Sequence, residues 1–226
     1  MAKYILSIES STDFCSVAVS DETTVVAHKE ISQPRSHASM LAPIIDEVIK
    51  EAGITIKELS AVAVSEGPGS YTGLRVGLST AKGICFGAKI PLIAINTLAI
   101  LAQQGKCEQC DLIVPMIDAR RMEVYAALYD RALNVKREIA ADIVDENSYL
   151  EFLEKHPVYF FGNGSAKCRE KITHPNAHFI ENIYPLAKWM FPLAEKAKAK
   201  EDFKDVAYFE PFYLKEFVAS KPKKLI

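Results

Sequence analysis

The stretch YILSIESSTDFCSVAVSDETTVVAHKEI, residues 4–31, decides the architecture. Three short runs rich in Val and Ile, Tyr4 to Ile8, Phe14 to Ser20 and Thr24 to Ile31, are separated by Ser10-Ser11-Thr12-Asp13 and by Asp21-Glu22. Short β-branched runs between turn-forming residues predict an antiparallel three-stranded meander. Downstream, Ser36 is placed to cap a helix running to about Ala52, with apolar residues at 41, 44, 45, 48 and 49 and Gly53 as its stop. Leu59 to Ser65 reads as a compact strand, then come a glycine-rich loop and a helix from Thr72 to Ala88. A strand at Ile90–Ile95 and a helix capped by Asn96 or Thr97 follow. The order is β-β-β-α-β-α-β-α.

The second half follows the same order without repeating the sequence. Asp111 to Ile117, Glu123 to Tyr129 and Val135 to Ile143 are strand-like. A helix near Glu146–Lys155, the strand VYFFG at 158–162, a helix from Ser165 and another from Tyr184 to Lys200 complete it. Meanders with helices on their faces give an α/β class with two subdomains, residues 1–105 and 106–226. The duplicated order, with a turn after the first strand of each half, resembles the actin, hexokinase and Hsp70 (ASKHA) superfamily of ATP-binding folds. Ligands of such folds sit in the crevice at the carboxyl ends of the strands.

The chain has 226 residues, 49% of them hydrophobic, enough for a sizeable buried core. The N-terminal apolar stretch is broken by Ser7 and is too short for a signal peptide. The most apolar window, Ile90 to Ala102, falls short of the roughly 18 residues a membrane span needs. Five cysteines, at 15, 85, 107, 110 and 168, are odd in number and irregularly spaced, which fits reduced thiols in a cytoplasmic protein. The net charge is −2, and no basic stripe is interleaved with aromatics; the C-terminal SKPKKLI reads as a solvated tail. Strong autonomous nucleic-acid binding is not expected.

The glycine-rich loop, SEGPGSYTGLRVG at residues 65–77, is not a Walker loop. Its basic residue is Arg75, inside the helix, and Pro68 removes a backbone donor. Nor is Ser70 a nucleophile elbow, because it directly follows Gly69 and the next glycine is Gly73. The helix it launches carries Gly73, Gly77, Thr80, Ala81, Ile84 and Gly87 at spacings of three and four. Such a ridge costs about 1 kcal/mol of helix propensity per glycine, and close packing is what compensates. Leu74, Leu78 and Cys85 flank it. The preceding helix carries Met40, Leu41, Ile44, Ile45, Val48 and Ile49, a band wider than one buried face requires. Surplus apolar surface on two adjacent helices fits a partner interface; an unusually deep core fits the pattern nearly as well.

A superfamily ATP site needs two turns that hold phosphates and an acid that positions Mg²⁺. Glu9, Ser10, Ser11 and Thr12 keep acids and hydroxyls in the first turn. In the second, Asp118-Ala119-Arg120-Arg121, arginines follow where glycine is expected, so close backbone approach is lost while a cation pair for phosphate is gained. Gly162 and Gly164 form an adenosine-side loop or, more simply, a tight turn with Ser165 as a helix cap. Together these residues outline a vestigial nucleotide cleft, suited at most to weak nucleotide binding, with no intrinsic cofactor. The histidines at 28, 37, 156, 174 and 178 include no i, i+4 pair on a predicted helix. Cys107 and Cys110 are a lone pair unless Cys168 or a histidine completes a site.

Finally, EGPGSYTGLRVGLSTAKG closely resembles the signature of the bacterial TsaB (YeaZ) family. The stretches ILSIESSTDFCSVAV, RSHASMLAPIIDEVI, IDARRMEVYAALY and the late PFYL agree with it in order and spacing. The resemblance spans essentially the whole chain, most strongly residues 4–129. It implies a non-catalytic relative of TsaD, the enzyme that transfers a threonylcarbamoyl group to an adenosine beside the anticodon of certain tRNAs. It further implies pairing with TsaD through helices 36–52 and 72–88, a homodimer when TsaD is absent, cooperation with the ATPase TsaE, and tRNA contact through the complex. TsaD-like proteins carry a metal-binding His-x-x-x-His after the strand matching Ile90–Ile95; Thr97 and Leu101 stand there instead. On this reading Gly77→Leu or Leu41→Asp weakens pairing with the fold intact. An ATP-dependent phosphotransferase or ATPase is the alternative, disfavoured by Ala119-Arg120-Arg121. A peptidase is disfavoured by the missing metal ligands and catalytic triad.

Overall fold

The computed structural model describes residues 3–32, 37–106 and 110–215; Ser36, Cys107 and the SKPKKLI tail lie outside them. Strands β1 (Tyr4–Glu9), β2 (Phe14–Ser20) and β3 (Val25–Ser32) form the expected meander, β1 antiparallel to β2 and β2 to β3. On its other edge β1 receives β4 (Leu59–Gly67) in parallel, and β4 receives β5 (Leu92–Asn96), giving the order β3-β2-β1-β4-β5. The second sheet contains β6 (Leu112–Asp118), β7 (Glu123–Asp130), β8 (Val135–Ile143), β9 (Val158–Phe161) and β10 (Ala177–Phe179). Its order is β10-β9-β6-β7-β8. Read from the β8 edge, order and strand directions repeat those of the first sheet.

Alternation along the strands sorts the first core into two layers. Leu6 and Ile8 of β1, with Val62 and Val64 of β4, face α1 (His37–Glu51) and α2 (Tyr71–Ala88). Ile5, Ala61 and Ala63 point the other way, where Ala187, Met190 and Ala194 cover them. That cover is a 3₁₀ turn and α5 (Phe191–Ala199), so a segment that follows the second sheet returns to the first. Between the halves lies α3 (Thr97–Gly105), whose cap is Asn96: its side-chain oxygen accepts from Leu98 N. Ile100 packs on the first sheet, while Leu98, Leu101 and Ala102 pack on Ile113 and Ile117 of the second.

Several elements depart from the sequence expectation. The helix near 146–155 shrinks to α4 (Leu150–Leu153), because Asp145 accepts from Asn147 N and from the Ser148 hydroxyl and holds the start as a turn. The helix from Ser165 is a single 3₁₀ turn, Ala166–Cys168, and the Ser165 hydroxyl donates to Gly162 O instead of capping it. The helix expected from Tyr184 begins as a 3₁₀ turn at Ala187 and becomes α-helical at Phe191. Pro185 disfavours a helical Tyr184, and Pro192 fits only a first turn. β10, three residues long, is too short for periodicity to reveal. Cys15, Cys85 and Cys168 are free and buried, but Cys110 is disulfide-bonded, which corrects the expectation of reduced thiols throughout. Among the described residues no helix is long and apolar enough to cross a membrane.

Candidate functional site

The glycine loop exists to let α2 lie on the turn that follows β1. Ser70 caps α2 by accepting from Gly73 N at 3.3 Å, and its own N–H donates to Ser11 O at 2.7 Å. A Cβ on Gly69 would sit 2.4 Å from Ser11 O, on Gly73 2.0 Å from Ser10 O, and on Gly77 2.2 Å from Ser10 Oγ. The Ser10 hydroxyl donates to Gly73 O, so the contact is hydrogen-bonded as well as close. From the other side Phe212 N donates to Glu66 O at 2.7 Å, and Phe212 O leaves no room for a side chain at Gly67. The turn is sealed: Glu9, Ser10, Ser11 and Thr12 are all buried.

Glu9 is the chemical anomaly of that turn. One carboxylate oxygen accepts from Ser11 N at 2.6 Å; the other has no hydrogen-bond partner among the described residues. Burial pushes the Glu9 carboxyl from its ordinary 4.5 up to about 7, and the donors from Ser11, Ser65 and Ser10 offset only part of that. Burial, with Glu9 as a smaller contributor, also raises the Cys15 thiol to about 11.

The residues expected at a partner interface lie together, but inward. Leu41, Ile44, Ile45 and Val48 of α1 and Leu78 and Ala81 of α2 are buried in one core with the first sheet; Met40 is partly buried against it, and Leu74 is buried beside Gly67. Gly73 and Gly77 are buried on the Ser10 turn. The wide apolar band on α1 has two neighbours, the β2–β3 face and α2, and the deep-core reading accounts for it. Gly77→Leu and Leu41→Asp therefore strike the fold itself, contrary to the expectation above.

What α2 presents outward is a different row. Thr72, Arg75, Ser79, Gly83 and Gly87 are exposed, and Phe86 stands 82% exposed among them. A Cβ on Gly83 or Gly87 would meet nothing within 4 Å. On α1, Ala42, Pro43, Asp46 and Glu47 are exposed, Glu47 paired with Lys29 of β3 and Asp46 with Lys50. The signal was in the sequence: Phe86 lies off the 74/78/81/85 stripe, where an amphipathic helix should be polar.

In the second half, Asp118 N donates to the Asn163 side-chain oxygen at 3.0 Å, and Asp118 Oδ1 accepts from Arg120 N and from Lys167 Nζ. Lys167 also donates to Glu123 O. Gly162, at φ 97°, and Gly164 pack against the backbone of Met116 and Ile117. Arg120 and Arg121 are exposed at the hairpin tip. Among the described residues no hydrogen bond or ion pair joins the Glu9–Thr12 turn to the Asp118–Arg121 hairpin, and no three potential metal ligands cluster. Thr97 and Leu101 are fully buried in α3.

Two five-stranded sheets of identical order, each a meander continued by two parallel strands, give the duplicated fold of the actin–hexokinase–Hsp70 type. A family model described as tRNA N6-adenosine threonylcarbamoyltransferase, TsaD, matches residues 24–223. The tRNA threonylcarbamoyladenosine biosynthesis protein TsaB of Bacillus subtilis is 30% identical over 174 residues, 74% of each chain. That of Escherichia coli is 37% identical over 131 residues, 58% of this chain and 56% of the relative. A Pseudomonas aeruginosa structure, described as an uncharacterized protein with similarity to peptidase YeaZ, superposes with a TM-score of 0.84 at 27% identity. It covers 94% of this chain and all of that one. The chain belongs to the TsaB family of tRNA threonylcarbamoyladenosine biosynthesis proteins.

Proposed function

We propose that the chain is the non-catalytic scaffold subunit of the assembly that forms threonylcarbamoyladenosine on tRNA. It docks on TsaD through the outward faces of α1 and α2 and works alongside the ATPase TsaE; without TsaD, the same face pairs two copies of the chain. The observation that carries this is Phe86, 82% exposed beside two bare helical turns at Gly83 and Gly87. Bare turns let a second helix approach closely, and the ring gives it an anchor. Burying that ring contributes roughly 2 kcal/mol, which the chain alone does not gain. The sealed Glu9–Thr12 turn supports a role without catalysis.

Sedimentation velocity of the chain, alone and mixed with TsaD from the same organism, tests this. The expected result is a stoichiometric heterocomplex that replaces any homodimer and is lost with Phe86→Asp or Gly83→Arg, neither of which lowers the thermal melt of the free chain. Independently sedimenting wild-type species, or variants that bind as tightly as wild type, would overturn the proposal. Turnover of ATP by the isolated chain would favour the phosphotransferase alternative.

A further inference from the structure

The hairpin between β6 and β7 turns on Arg120 and Arg121, at φ 70° and 49°. The turn closes with Ala119 N donating to Glu123 O and Glu123 N to Arg120 O, and the left-handed conformation of its first two residues is one that Gly and Asn adopt most readily. Arginine has a Cβ that opposes this conformation and no short polar side chain to offset it. Hairpin stability therefore does not select this pair. Both arginines are exposed, and neither guanidinium has a hydrogen bond or ion pair with any described residue. The neighbouring acids do not compete for them: Asp118 is paired with Lys167, and Glu123 with Lys215. The Tyr125 phenol on β7 lies within the field of both Arg120 and Lys215. In a chain of net charge −2, this tip carries two guanidinium groups that no described residue neutralises.

We infer that the Arg120–Arg121 tip contacts the phosphodiester backbone of RNA, one phosphate per guanidinium. This rests on the reading that the chain works in a complex acting on tRNA, and it replaces the expectation of purely indirect contact. A small nucleotide needs a concave site that encloses it. A polyanionic backbone is instead met by long arginines on a convex surface, which fix register without reading sequence.

The test uses the assembled complex of this chain with TsaD and TsaE, and labelled tRNA titrated by fluorescence anisotropy from about 50 to about 300 mM salt. The variant R120N/R121G keeps the turn. It should leave assembly unchanged by sedimentation, raise the melting temperature of the free chain, weaken tRNA binding, and make the salt dependence shallower by about 1.5 in log–log slope. An assembled complex with unchanged tRNA affinity and slope overturns this inference alone. So does a variant that loses TsaD while its tRNA slope holds, since the tip would then meet an acidic protein surface, or one that loses only binding of ADP to the isolated chain. A wild-type chain that does not assemble overturns the preceding reading, and this one with it.

Discussion

Replacing Glu9 by glutamine isolates the one fully buried carboxyl of the first turn. Its folded-state value of about 7 against an ordinary 4.5 means that between those pH values the folded chain keeps a proton that the unfolded chain has released. Stability contributed by this group is complete below pH 4.5, falls by about 1.4 kcal/mol per pH unit as pH rises, and is lost above about 7. The total is about 3 kcal/mol, a large fraction of what holds a domain folded. Glu9→Gln cannot ionise, and its carbonyl still accepts from Ser11 N. Urea unfolding of both proteins from about pH 4 to 9 supplies the comparison. Other groups raised by burial, Glu66 and Glu195, titrate in both proteins and cancel in the difference. The stability of the variant relative to wild type should climb by about 3 kcal/mol across that window and be flat outside it. A difference that does not change with pH would refute the reasoning, whatever its constant value.

Two further outcomes follow from packing and hydrogen bonding. Gly83→Ala, with open space around its Cβ, should stabilise α2 by up to about 1 kcal/mol in thermal melts, whereas Gly73→Ala, driven into Ser10 O, should cost about 2 kcal/mol or more. Equal effects at the two sites would contradict the packing of α2 on the first turn. Tyr149→Phe removes the hydroxyl that donates to Asp142 at 2.5 Å beside Arg137, and should cost about 2 kcal/mol by chemical denaturation; no loss would mean that Arg137 alone satisfies the carboxylate.

The meander, the glycine loop and the long helices were legible because each leaves a local mark: β-branched runs, turn-forming residues, a stripe at helical spacing. The late elements were not. Pro185 and Pro192 break a pattern that looked continuous, and β10 takes its place by pairing with β9 rather than by any periodicity of its own. The turn after β1 was half legible. Glu9 through Thr12 could be named as a phosphate turn by residue type, but that Gly69, Gly73 and Gly77 close it from distant positions in the chain is a fact of tertiary contact.

The sequence by itself determined the order of elements, their duplication and the family, since these depend on patterns carried within short segments and on motifs in register. Only the tertiary structure decided which side of α2 faces out. An apolar stripe records how much surface a helix must bury, not how many neighbours it has to bury it against. With the sheet, α1 and the Ser10 turn all lying on one side, the glycine ridge at 73 and 77 went inside, and Phe86 was left on the surface.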